Sequence, residues 1–355
     1  MDQDGLRGTV QLLDTTNDTN STEVAPKIVR VSLGSAIALG LLKGSVDALP
    51  STVYLLTYHE GKCIANCQFC SQARSSTSRS DSLSRVTWPT FSIDKIISEI
   101  QRAVSRGLVR RVCLQAVNYP HAFADVLNLI RSIRSKIDVP MSLSCQPFRG
   151  EQLQSLADAG LDRIGIPLDA ATEDLFSKIK GPEAGGTYAW HEHLRALEAS
   201  VAIFGRGRVS THLMVGLGEN DAQLVSITQE MVDMGVYPSL FAFTPIQGTP
   251  LENWSQPPVK RYRRIQLVQY LVTKGKARYS TMKFDQKGDL MDYGISLENL
   301  KEIVASGEPF LTSGCPDCNR PFYNERAGGP LYNYPRPLTR DEVALAEKDL
   351  LPPED

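Results

Sequence analysis

Short β-rich runs alternate with amphipathic helical stretches through most of this chain, and few architectures accept that order. The β-rich runs fall at 53–58, 111–117, 140–145, 163–169, 210–215, 240–246 and 279–284, and the helical stretches at 93–106, 123–135, 150–159, 188–204, 221–234 and 259–274. Strand followed by helix, repeated, means a parallel sheet, because a parallel crossover needs a dozen or more residues and a helix is the usual one. With a possible further run near 310–312, the pattern predicts an α/β fold, a (β/α) TIM-type barrel of six to eight parallel strands spanning 53–312. A stretch at 1–26, rich in Asp, Thr, Asn and Ser, reads as a disordered arm, and 27–52 as N-terminal helices. The segment 313–355, rich in Pro, Gly, Asn and Tyr, reads as an irregular extension. In such barrels chemistry sits on the loops leaving the C-terminal strand ends.

Composition removes several functions. The 355 residues carry 38 Lys and Arg against 40 Asp and Glu, a formal charge of −2, which offers no net field to nucleic acid or an acidic membrane surface. The local clusters Arg106, Arg110 and Arg111, and Lys260, Arg261, Arg263 and Arg264, read as solvated faces. The longest apolar stretch, near 36–42, is too short to cross a bilayer, and no secretory signal opens the chain, so a cytoplasmic protein is expected. In that compartment seven cysteines, an odd number, read as ligands, nucleophiles or core residues.

Three of them, Cys63, Cys67 and Cys70, follow the first barrel run within one loop, as C-x3-C-x2-C. Three thiolates hold three irons of a 4Fe-4S cube and leave the fourth without a protein ligand. An open iron can chelate the amino and carboxylate groups of S-adenosylmethionine, and an electron passed into the sulfonium then releases an adenosyl radical. The alternative is a structural zinc site completed by a residue such as His59, or thiols that are merely buried.

This loop, with Phe69 before its last cysteine, resembles the signature of the radical S-adenosylmethionine superfamily. Further segments resemble biotin synthase and its relatives: 113–121 after the second strand, Cys145 ending the third, Leu168 and Asp169 ending the fourth, 215–219 (Val-Gly-Leu-Gly-Glu) after the fifth and 248–251 after the sixth. The resemblance implies that Phe69, Met214 and Thr244 pack around adenine, that Ala116 offers backbone groups to the methionine moiety, and that Asp169 binds the ribose hydroxyls. Core packing for Phe69 and Met214, and a loop cap for Asp169, are the plainer alternatives.

Biotin synthase holds a second cluster with three cysteines and an arginine from successive strands. Cys113 and Cys145 match the first two, but the third falls on Ser210 and the arginine on Lys283. The chain has two other thiols, Cys315 and Cys318, directly after the last expected strand, and seven cysteines minus three leaves four. The expectation is that the tail folds over the barrel mouth and that Cys113, Cys145, Cys315 and Cys318 hold an auxiliary 4Fe-4S cluster. Zinc, or a cluster completed by a partner, is the rival for the tail pair.

The tail from Cys315 to Pro337 resembles the two-component lipoyl synthases. That likeness implies sulfur insertion into the octanoyl chain of a lipoyl-carrier protein, with two 4Fe-4S clusters and S-adenosylmethionine as cofactors. The implied partners are a second, paralogous component, the octanoylated carrier and an electron donor such as ferredoxin. Biotin synthase-like or other radical chemistry, a mutase or carbon–carbon bond reaction, is the first alternative, and a non-catalytic zinc scaffold the second. Arg320, Arg326 and Arg336 read as solvated charges or contacts to an acidic carrier. His212, on a strand beside the implied cofactor, is a candidate substrate contact, and no histidine makes a hydrolytic triad.

Overall fold

The structure is a computed structural model that describes residues 26–351 except 322 and 326–328. The arm expected at 1–26 therefore lies, but for Pro26, outside the described residues, as does Arg326. The chain opens with β1 (Ile28–Val31), α1 (Leu33–Ala38) and β2 (Thr52–Leu56). A hairpin of β3 (Ser82–Leu83) and β4 (Val86–Thr87) leads to β5 (Thr90–Ser92) and α2 (Ile93–Ser105). Strand and helix then alternate through β6 (Arg111–Gln115), α3 (Ala122–Arg134), β7 (Met141–Ser144), α4 (Gly150–Asp158) and β8 (Arg163–Gly165). Next come α5 (Glu173–Ile179), α6 (Trp190–Phe204), β9 (Val209–Val215), α7 (Asp221–Met234), β10 (Val236–Ala242) and α8 (Val259–Thr273). The chain closes with β11 (Lys283–Phe284), β12 (Leu290–Asp292), α9 (Leu297–Ala305) and α10 (Arg340–Leu350).

Among the described residues the main sheet has eight strands in the order β10-β9-β8-β7-β6-β2-β1-β5. The six from β2 to β10 pair in parallel, and β1 joins antiparallel to both β2 and β5. This is an α/β fold of the TIM-barrel type, left open between β10 and the other edge. Along β9 the side chains alternate: Val209, Thr211, Leu213 and Val215 are buried, while Ser210, His212 and Met214 face the interior cavity. The outward set packs with Ile96, Ile100, Val126, Ile130 and other helix faces into one sheet-to-helix core. Asn220 caps α7 by accepting from the Gln223 amide at 2.9 Å, and Gly235 ends it in the left-handed region at φ 98°.

The differences from expectation have local causes. Residues 27–52 form a strand and one short helix, because Val29 and Val31 of the β-branched run Ile-Val-Arg-Val are buried in the sheet. The run at 279–284 is no barrel strand: Asp285 accepts from the Lys287 and Asp289 amides, and the turn folds β11 back onto β12 in a separate hairpin. Phe310 ends a 3-10 turn, and Leu311 makes only an isolated bridge to Tyr334. The extension at 313–355 contains α10, which starts on a Thr339–Glu342 capping box and buries Ala346. Of the two basic clusters, Arg106, Arg110 and Lys260 are exposed as expected, whereas Arg111 and Arg263 are buried and Arg261 and Arg264 pair with Asp221.

Candidate metal centre

Cys63, Cys67 and Cys70 lie on the loop leaving the C-terminal end of β2, and its backbone is pinned by neighbouring loops. The Cys63 amide donates to Gln72 O at 2.8 Å, Ile64 to Asn118 O at 2.9 Å and Gln68 to Ile179 O at 2.8 Å. The Asn66 side-chain amide donates to Ala184 O at 2.6 Å. Burial pushes the Cys67 and Cys70 thiols up, Cys70 to about 12, with Cys70 and Cys63 adding to the rise of Cys67 and Cys63 to that of Cys70. Such thiols stay protonated at neutral pH until a metal displaces the proton. Three coupled sulfurs at the wall of a cavity of about 630 Å³ fit a cluster that needs exactly that donor type, and a 4Fe-4S group would be held by these three. Among the described residues no three His, Cys, Asp or Glu side chains converge on a single metal-ion position. A cube carries its irons at separate corners, so its thiolates need not converge.

Asp169 follows β8 in the left-handed region at φ 65°, a conformation that Asp tolerates better than most side chains. Its amide donates to His212 O and its carbonyl accepts from the Met214 amide, each at 2.8 Å, so the bulge is stitched to β9. Lys180 Nζ lies 2.7 Å from Asp169 Oδ2 and donates to Pro167 O at 2.7 Å. The same ammonium rests over the Phe176 and Tyr188 rings and lowers the pKa of Cys67 against the larger effect of burial. Phe69 and Met214 pack together with Ile179, Leu217, Phe243 and Leu251. Ala116 borders the cavity, and its amide donates to Ser144 O at 2.8 Å. Thr244 Oγ1 is engaged with Ala242 O and Asn324 O. In the Val-Gly-Leu-Gly-Glu segment, the Glu219 carboxylate accepts from the Gly216 and Leu217 amides, which shapes the loop after β9.

A second group of thiols borders the same cavity. Cys113 points inward from the middle of β6 and accepts from Gln115 Nε2 at 3.1 Å. Burial pushes its thiol up, and Cys315 and Cys318 push it the same way. The Cys318 sulfur lies 3.4 Å from the Tyr54 hydroxyl, and Ser142 Oγ donates to the Cys315 sulfur at 3.4 Å. Cys145 is not brought to this group. It borders the same cavity just past the end of β7, but it is almost wholly buried and packs into the sheet-to-helix core. Burial alone raises its thiol, with no contribution from another cysteine.

The tail does not lie over the mouth at the C-terminal strand ends. Asp317 O accepts from Ser51 Oγ and Thr52 Oγ1, Asn319 Oδ1 from the Ser51 amide, and Pro316 O from Arg111 Nε. Those partners stand where β2 and β6 begin, so Cys315 and Cys318 enter from the opposite end. The tail then climbs the open seam. Ser313 Oγ accepts from the Leu240 amide, and the Arg320 amide donates to the Tyr54 hydroxyl. Asn324 Nδ2 donates to Ala242 O on the free edge of β10.

Arg320 is not a solvated charge: its guanidinium lies 3.9 Å from the Phe241 ring centroid, inside the cavity wall. Burial alone would lower its pKa, but Cys318 and Tyr54 raise it overall. Tyr323 borders the cavity, and burial raises its phenol, with both Cys70 and Cys113 adding to the rise. Arg336 pairs with Glu342 across the start of α10. His212 faces the cavity, and burial holds its pKa down at about 4. Ser210 borders the cavity too, whereas Lys283 is exposed and pairs with Asp292, outside it.

Sequence reasoning missed Lys180, Tyr54 and Tyr323. Only Tyr54 had a signal, its position one residue beyond the start of a run whose alternate side chains face inward.

The model of the Radical SAM superfamily matches residues 58–231. These residues therefore carry a Radical SAM domain, and the chain is similar to biotin synthases. A biotin synthase from Acinetobacter calcoaceticus is 28% identical over 202 residues, covering 56% of this chain and 57% of that protein. Another from Ralstonia nicotianae is 26% identical over 274 residues, covering 75% of this chain and 71% of its own. The chain thus spans little more than half the length of the first of these relatives. Among solved structures, a methylornithine synthase superimposes with a TM-score of 0.49 at 13% identity, covering 63% of this chain and 62% of that one. The superfamily implies a 4Fe-4S cluster and S-adenosylmethionine. Among the described residues no helix is long and apolar enough to cross a membrane.

Proposed function

We propose that this chain is a radical S-adenosylmethionine enzyme that inserts sulfur, acting as one component of a two-protein lipoyl synthase on the octanoyl chain of a carrier protein. The observation that carries this reading is the second thiol group, Cys113, Cys315 and Cys318, on the cavity that Cys63, Cys67 and Cys70 also border. When bound, a 4Fe-4S cluster with S-adenosylmethionine supplies a radical able to take hydrogen from unactivated carbon, and an auxiliary cluster supplies sulfide. The residues of the chain do the rest. Cys63, Cys67 and Cys70 would hold the first group; Phe69 and Met214 offer an apolar face to adenine, and the Asp169 carboxylate, fixed by Lys180, stands ready for ribose hydroxyls. Cys113, Cys315 and Cys318 would hold the second, with Tyr54, Ser142 and Gln115 as hydrogen-bond partners of their sulfurs.

Apolar residues make up most of the wall between the two groups, among them Leu56, Val117 and Trp88, which excludes water from a reactive carbon centre. Biotin synthase-like chemistry is supported by the relatives, but this chain has Ser210 and Lys283 at the positions where the resemblance implies a cysteine and an arginine for the second cluster. The test is incubation of the reconstituted chain, with its paralogous component, an electron donor and S-adenosylmethionine, with an octanoylated carrier domain. Carbon–sulfur bonds in the carrier's acyl chain are expected. Deoxyadenosine release with no sulfur in octanoyl or dethiobiotin products would overturn sulfur insertion.

A further inference from the structure

The cavity does not end at the two thiol groups. Its wall continues past Leu83 and Val86 of the β3–β4 hairpin to Leu33, Val46, Ala48 and Pro50, in the segment between β1 and β2. Leu33 is 42% exposed, Val46 and Ala48 are half-buried and Pro50 is buried, so this arm runs from solvent to the interior. Inside, it meets the apolar wall of Leu56, Trp88 and Val117, against which Cys63, Cys113 and Cys318 all pack. A chain lying along that wall passes both thiol groups.

We propose that this arm is the entry portal for an unbranched acyl chain of medium length, carried as an amide on a partner's lysine. The proposal rests on the sulfur-insertion reading above and deepens it by saying where the substrate enters. Among the described residues the Cys63–Cys70 loop is tied to Asn118, Ile179 and Ala184, and the tail is bonded along the seam to Leu240, Tyr54 and Ala242. The portal's rim carries apolar side chains, which favour a hydrocarbon over a polar or charged substrate. Exposed Leu49, between the lining residues Ala48 and Pro50, offers the carrier an apolar contact at the opening. The Asn319 side-chain amide donates to Leu49 O at 2.9 Å, so the same tail that brings Cys318 inward also fixes one side of the opening.

The experiment uses the reconstituted protein with S-adenosylmethionine and an octanoyl-lysine peptide bearing a photoreactive diazirine near the carbonyl end of the acyl chain. Adducts mapped by mass spectrometry are expected on residues 33–50, competed away by unlabelled octanoyl peptide and not by an acetyl-lysine peptide. Saturable adducts confined to the 63–70 loop or to 181–189 would overturn the portal and leave the acyl substrate standing. No saturable adduct anywhere would overturn both. In a second arm, Ala48→Trp and Val46→Trp should each weaken octanoyl-peptide binding about tenfold or more by filling the opening. Unchanged affinity in both folded variants would also overturn it; if either fails to fold, the mapping on the unaltered chain decides.

Discussion

The ammonium of Lys180 stands 2.7 Å from the Asp169 carboxylate, and the two side chains are only 4% and 10% exposed. This pair ties the end of α5 to the bulge after β8, beside Cys67. Removing one partner leaves the other charge buried without compensation. Lys180→Met should therefore destabilise the chain by about 3–5 kcal/mol, measured by urea denaturation under anaerobic conditions. The double variant Lys180→Met/Asp169→Asn should cost clearly less than the sum of the single changes, because the stranded charge is gone. Additive losses would mean that the two groups do not interact.

The tail depends on one buried carboxylate. Glu325 Oε2 accepts from the Asn324 amide and Oε1 from the Tyr332 and Asn333 amides. Each buried amide left unmade costs about 1–3 kcal/mol. Glu325→Ala should accordingly release the segment around 313–335 to proteolysis and lower the iron bound by the second thiol group. Iron at Cys63, Cys67 and Cys70 should persist, which distinguishes local release of the tail from global unfolding.

Stability should fall on mild acidification through His193. Burial against Phe176 and Tyr188 holds its pKa down at about 3, against an ordinary value of 6.5. The unfolded chain takes up the proton first, so the folded state loses stability as pH falls from about 6.5 toward 3, and the loss levels off below that. Between pH 7 and pH 5 this one group contributes about 2 kcal/mol of loss. His193→Gln should remove that share of the slope in denaturation midpoints at the two pH values. An unchanged slope would assign the dependence elsewhere.

Cys145 and Cys113 should separate cleanly. Cys145→Ala deletes a sulfur from the sheet-to-helix core and should cost about 1 kcal/mol in stability with iron content unchanged. Cys113→Ala should lose the iron of the second group while the iron of the first remains. Loss of iron in Cys145→Ala would put that thiol back among the ligands.

The parallel core was legible because its helices carry strong periodicity: the stretch expected at 221–234 coincides with α7, whose cap residues Asn220 and Gly235 bracket it. What was not legible depended on contacts distant in sequence. β1 reads as helical spacing over a longer window, and only pairing with β2 and β5 makes it a strand. Arg263 belongs to a run of basic residues, yet it is buried because the tail supplies the Leu331 and Tyr332 carbonyls to its guanidinium. Within the site, the Cys63–Cys70 spacing was local and visible. Cys113 and Ser142 are paired in register, whereas Cys145 lies three residues on, past the end of β7, where it borders the cavity but packs into the sheet-to-helix core. Tyr323 reaches the cavity only because the tail climbs the seam.

The central claim is that one cavity serves two separate groups of iron-binding thiols. Iron and acid-labile sulfide per chain, measured after anaerobic reconstitution of the unaltered protein and of Cys315→Ala/Cys318→Ala, test it most directly. The account predicts about eight irons falling to about four in the variant. About four irons in both proteins would contradict it, leaving a single cluster and no source of sulfur within the chain.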